Sequence, residues 1–133
     1  FRIADAFGIE KLILCGENIS LGRKMSKTSR ATEKSVNFEI HSSAISIVKN
    51  YKKDGFTIVS LEITENSKPI HLCNFSNQKL IVLLVGDENF GISQDLLSIS
   101  DKTIHINMFG KNSSMNVVQA TNIALYEITK QFL

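Results

Sequence analysis

Leu80-Ile81-Val82-Leu83-Leu84-Val85-Gly86-Asp87-Glu88-Asn89-Phe90-Gly91-Ile92 is the stretch on which the fold turns. Leu80 to Val85 is uniformly apolar, which predicts a central strand covered on both faces, because a half-solvated strand would alternate. Gly86 and Gly91 then bracket a turn, and a short helix is expected from Ser93. The two glycines permit positive φ values and close approach of backbone to a ligand. A tight turn that simply needs glycine is the plainer explanation.

Working outward, Phe56 to Ile63 alternates as a strand should. Upstream, Ser42 or Ser43 can cap a helix with apolar positions Ile45, Val48 and Tyr51, and Gly55 supplies a left-handed stop. Lys11 to Cys15 reads as a buried strand and Ser35 to Ile40 as a second one. Downstream, Thr103 to Asn107 is a further strand. A last helix runs from about Ser114 to Phe132 with the stripe Val117, Ala120, Ile123, Ala124 and Ile128. Strand–helix alternation of this kind predicts an α/β fold with a mostly parallel sheet flanked by helices. The one proline, Pro69, lies in a polar stretch suited to a surface turn.

The 133 residues fit one domain, 1–133. At 43% apolar and 21% charged the composition is that of a globular protein, and no apolar run nears the roughly 20 residues a membrane helix needs. Phe1-Arg2-Ile3 does not open a signal peptide. Cys15 and Cys73 are too few for a disulfide framework, and among apolar neighbours they are expected to be buried free thiols. With the missing signal peptide this favours the cytoplasm. The three histidines stand singly, so no metal site is expected. A net charge of +2 decides nothing, but Arg23, Lys24, Lys27, Arg30 and Lys34 face a single acid, Glu33. That run suits either a solvated loop or an RNA-backbone contact.

Ligands of open α/β sheets bind beyond the carboxyl ends of the strands. Besides the turn at Gly86, one other loop there is rich in suitable residues: Ile106-Asn107-Met108-Phe109-Gly110-Lys111-Asn112-Ser113-Ser114-Met115-Asn116. It turns at Gly110 and opens a helix that Ser113 or Ser114 would cap. Capping does not explain Met108, Met115 and Asn116 together; an apolar pocket beside free helix N–H groups would suit an adenine. No G-x-G-x-x-G and no G-x-x-x-x-G-K-[ST] occurs, which disfavours the familiar dinucleotide and nucleotide sites.

These loops resemble the SpoU (TrmH-like) branch of the knotted SPOUT methyltransferases. The family's second motif, G-N-E-x-x-G-[IL], stands here as Gly86-Asp87-Glu88-Asn89-Phe90-Gly91-Ile92. Its third, I-P-M-x-G-x-x-x-S-L-N-V-S-x-A, is matched by Ile106 to Ala120, and the end of its first, R-x-A-x-x-F-G, by Arg2 to Gly8. The resemblance implies a deep C-terminal trefoil knot that forms an S-adenosylmethionine pocket, a homodimer, and ribose 2′-O-methylation of tRNA or rRNA. It implies cofactor binding by Leu84, Gly86, Glu88, Ile106, Met108, Met115 and Asn116. It assigns catalysis to Arg2, Glu88, Ser114 and Asn116, with Arg2 acting on the 2′-OH. Free arginine is a poor base, so that role needs help from phosphate or substrate. Arg23, Lys24, Lys27 and Arg30 would then contact RNA.

The chain departs from the pattern at Asp87 (Asn in the family), Asn107 (Pro), Met115 (Leu) and Val118 (Ser). Met115 conserves volume. Asp87 adds charge, Asn107 loosens a turn and Val118 removes a hydroxyl. The first motif begins late, so a longer natural protein is expected. The drift also admits a different expectation, an RNA-binding or dimeric scaffold on this fold without methylation.

Overall fold

The computed structural model describes residues 8–15, 37–78, 80–87, 90–110 and 115–133. The chain divides into two compact units, Phe1–Ala44 and Ile45–Leu133. In the first, β1 (Leu12–Cys15) pairs in parallel with β2 (Phe38–His41), with Leu12 opposite Phe38. Glu39 fastens this pair by accepting from Lys11 Nζ at 2.7 Å and His41 Nε2 at 2.8 Å. Cys15, the last residue of β1, is exposed rather than buried.

The second unit is a four-stranded parallel sheet in the order β4 (Lys68–Pro69), β6 (Lys102–His105), β3 (Thr57–Leu61), β5 (Ile81–Val85). Its helices are α1 (Ala44–Lys53), α2 (Gln94–Ile99) and α3 (Val117–Thr129). No helix among the described residues is long and apolar enough to cross a membrane.

The sheet corrects the expectation for Leu80–Val85. Among the described residues β5 stands at the edge of this sheet, its first four residues half-buried and Val85 42% exposed. The central place belongs to β3, where Ile58, Val59 and Ser60 are all fully buried. An apolar run reports cover, not neighbour order. The polar Ser60 tolerates burial because its hydroxyl bonds the Ser100 hydroxyl at the end of α2, which in turn donates to the Leu96 carbonyl.

Alternation along β3 divides the packing. Val59 joins Ile70, Phe75, Ile104, Ala124 and Ile128 in one core, with Leu61, Ile81, Leu83 and Ile106 against it. Ala124 and Ile128 are four residues apart on α3, so one helical face serves this core. Gln131 fixes the end of that helix region: its Oε1 accepts from Phe75 N at 2.6 Å and its Nε2 donates to the Cys73 carbonyl at 3.2 Å.

Three local expectations change in detail. α3 begins at Val117, later than Ser114, and its cap is Asn116, whose side chain accepts from Val118 N and Gln119 N. Pro69 is not in a turn but ends the two-residue strand β4 and leads into the 3-10 turn Ile70–Leu72. The edge of a sheet accepts a residue with no N–H to donate. Cys73 is half-buried against the core. Gly55 ends α1 as expected, with φ +94°.

Candidate functional site

A cleft of about 820 Å³ opens where β3, β5 and β6 end and is walled by the first turns of α3. That volume is in the range of pockets that take small molecules. Among the described residues, five parts of the chain reach it: Leu61 to Thr64, Val85 to Asp87 with Phe90 to Ile92, Leu97 of α2, His105 to Met108, and Met115 to Thr121.

The turn after β5 is closed by its own residues. The Asp87 carboxylate accepts from Phe90 N at 2.6 Å and the Asp87 carbonyl from Gly91 N at 3.1 Å. An asparagine oxygen would accept the same bond, so the acid at this position keeps the turn. Gly91 sits at φ +67°, a conformation that favours glycine. A Cβ on Gly86 would overlap the Gly91 carbonyl carbon and crowd Ile92 N, so this glycine serves the turn's own closure.

Glu62, just past β3, was not among the residues expected here. Its Oε2 accepts from Ile92 N at 3.1 Å, its Oε1 from Ile63 N at 3.2 Å, and its own N–H donates to the Ile104 carbonyl at 3.0 Å. It lines the cleft and lies against Gly91, whose added Cβ would come within 2.5 Å of Oε2. The available signal was modest: Glu62 is the sole acid between Phe56 and Ile63.

The loop after β6 is tied to the same segment. His105 Nδ1 bonds Ser67 Oγ at 2.8 Å, and its Nε2 faces Asn107 Oδ1 at 3.1 Å. Ser67 Oγ accepts from Thr64 N at 3.0 Å and donates to the Thr64 carbonyl at 2.8 Å. With its proton committed there, Ser67 is not an activated nucleophile. Asn107, where the family motif has Pro, thus faces the imidazole. Phe109 projects into solvent, 99% exposed, and Gly110 has open space around it.

Of the expected cofactor residues, the structure brings Gly86, Ile106, Met108, Met115 and Asn116 to one cleft. Leu84 does not line it; it stays in β5 opposite Ser60, and Val85 is at the cleft instead. Asn116 has its carbonyl oxygen committed to the α3 cap. Arg2, Glu88, Ser114, Arg23, Lys24, Lys27 and Arg30 lie outside the described residues. Among the described residues no three His, Cys, Asp or Glu side chains gather as metal ligands.

The chain is 38% identical over 88 residues to a tRNA (guanosine(18)-2′-O)-methyltransferase of Saccharomyces cerevisiae, covering 66% of this chain and 6% of that protein. It is 30% identical over 130 residues to an Aquifex aeolicus protein of the same name, covering 98% of this chain and 61% of that one. The crystal structure of the SpoU methyltransferase AviRb from Streptomyces viridochromogenes, in complex with the cofactor AdoMet, superposes with a TM-score of 0.83 at 26% identity. That match covers 98% of this chain and 53% of that one. The chain thus spans about three fifths or less of each of these proteins. The SpoU rRNA methylase family profile matches residues 1–126, and with both of its loop motifs meeting at one cleft the chain belongs to that family.

Proposed function

We propose that the protein is an S-adenosylmethionine-dependent RNA ribose 2′-O-methyltransferase, acting on a tRNA. The observation that carries this is the convergence of Gly86, Ile106, Met108, Met115 and Asn116 on a single cleft at the carboxyl ends of the strands. The names of the yeast and Aquifex relatives support tRNA as the substrate.

The cleft fits the cofactor in chemistry as well as size. Val85, Ile106, Met108 and Met115 offer an apolar wall for a purine, and the adjoining loops offer backbone polar groups for its edge. When bound, S-adenosylmethionine supplies an activated methyl group on a sulfonium. The protein's part is then orientation and exclusion of water, which can supply most of the rate. Asn116 fixes where α3 starts and so the position of Met115 and Val117 at the wall. Arg2 is assigned the ribose hydroxyl, Ser114 and Glu88 the polar edge of the site, and Arg23, Lys24, Lys27 and Arg30 the RNA backbone.

The family's trefoil knot and homodimer belong to the same reading, and so does the cytoplasm. Val118, Ile123 and Tyr126 are large apolar residues 38–57% exposed on α3, interspersed with the exposed Gln119 and Asn122, and a second copy would cover them. Drift at Asp87 does not undo the turn, and Val118 keeps the capped helix start.

The test is titration calorimetry of the intact protein with S-adenosylmethionine, followed by methyl transfer to tRNA transcripts and nucleoside mass spectrometry. Micromolar binding and a 2′-O-methylated nucleoside are expected. Absence of binding up to millimolar cofactor would overturn the proposal.

A further inference from the structure

We infer that Glu62 is the positioning residue of the cofactor cleft, setting the shape of the Gly86–Ile92 turn and through it the cleft's affinity; this rests on the function proposed above. Two kinds of tie to the turn stand out among the described residues. Asp87 closes it on itself through Phe90 N and Gly91 N. That closure is internal to the turn. Glu62 supplies the second tie, from the end of the neighbouring strand to Ile92 N.

The chemistry asks for a carboxylate. Ile63 N and Ile92 N approach different oxygens of the same group, at 3.2 and 3.1 Å. A carboxylate accepts at both oxygens, and a bond to a charged acceptor is the stronger kind. Glutamine would present one oxygen and turn its NH2 toward the other N–H. Alanine would leave both N–H groups to water. Gly91 completes the fit, because only a residue without Cβ lets the carboxylate lie against the turn. The loop after β6 is held from the same stretch by the Ser67–His105 bond, so the segment from Glu62 to Ser67 braces both ligand loops.

Glu62 lies half-exposed, outside the buried core, so its removal should leave the fold standing. In E62Q and E62A the dissociation constant for S-adenosylmethionine should rise about tenfold, as expected for a lost charge-assisted bond. Turnover at saturating cofactor should stay within about twofold, since the reacting groups are elsewhere. Hydrogen exchange at the Ile92 amide of the ligand-free variants should speed up by a similar factor of about ten. Wild-type affinity in both variants, beside a wild type that binds, overturns the inference alone. Equal losses of affinity, turnover and thermal stability also overturn it, because they mark a structural role. Failure of the wild type to bind the cofactor removes the proposed function and this inference with it.

Discussion

The two ends of β3 are fastened by the same device to different purpose. At its start, the Asp101 carboxylate accepts from Ile58 N at 2.7 Å and pairs with Lys52 at 2.9 Å. Lys52 also donates to the Ile99 carbonyl at the end of α2, so the charges close into a network. Just past its finish, the Glu62 carboxylate holds the N–H groups of Ile63 and Ile92 beside the cleft. One acid ties a helix and a loop onto the sheet. The other ties down a turn whose remaining surface lines the cleft. A carboxylate on a backbone N–H is a general fastener; what stands on its other side decides whether it serves stability or recognition.

The largest disturbance would strike both ends at once. Ile104→Ala empties a fully buried position of β6 and should cost about 2–5 kcal/mol in denaturant unfolding, with cofactor binding lost as the fold weakens. Asp101→Ala separates the ends: it leaves the Ile58 N–H without its acceptor and should cost about 1–3 kcal/mol, while cofactor affinity stays at the wild-type value. If affinity falls in parallel, the two ends are not independent.

Gly91→Ala makes the converse change. A positive φ costs a non-glycine residue about 1–2 kcal/mol, and the new Cβ displaces the Glu62 carboxylate. Calorimetry should show weaker cofactor binding, with unfolding changed by no more than that strain.

The acid limb of stability is a smaller effect. Desolvation raises the Asp101 pKa, but the Ile58 N–H and the Lys52 ammonium outweigh it and hold the carboxyl below the usual range. A depressed folded pKa stabilises above the unfolded value, about 3.9, and that stability is lost as pH falls through the folded value. Unfolding measured below about pH 4 should therefore decline less steeply in Asp101→Asn than in wild type. Smallest of all, Lys52→Met should cost under about 1 kcal/mol, and less in high salt, because the pair is exposed.

The parallel α/β alternation was legible in sequence, as were the strands near Leu12, Thr57, Ile81 and Lys102 and the left-handed stop at Gly55. Those features depend on local periodicity and on glycine's backbone freedom, which a linear pattern carries. Strand order was not legible. The run Leu80–Val85 is more apolar than β3, yet β3 is central and β5 lies at the edge of its sheet. Ser60 hid that fact, since its burial depends on Ser100, 40 residues away. The helix start was misplaced for a related reason: serines and Asn116 compete as caps, and only packing chooses between them.

By itself the sequence determined the family, the two glycine-bearing and asparagine-bearing loops, and most of the residues that meet at the cleft. Motifs carry these because each needs particular side chains at fixed local spacing. Only the tertiary structure decided that Val85 rather than Leu84 reaches the cleft, that Gly86 serves the turn's closure, and that Glu62 holds it. Each of these depends on the register of β3 against β5, with Leu61 opposite Val85, which sets what the end of one strand presents to the turn after the other.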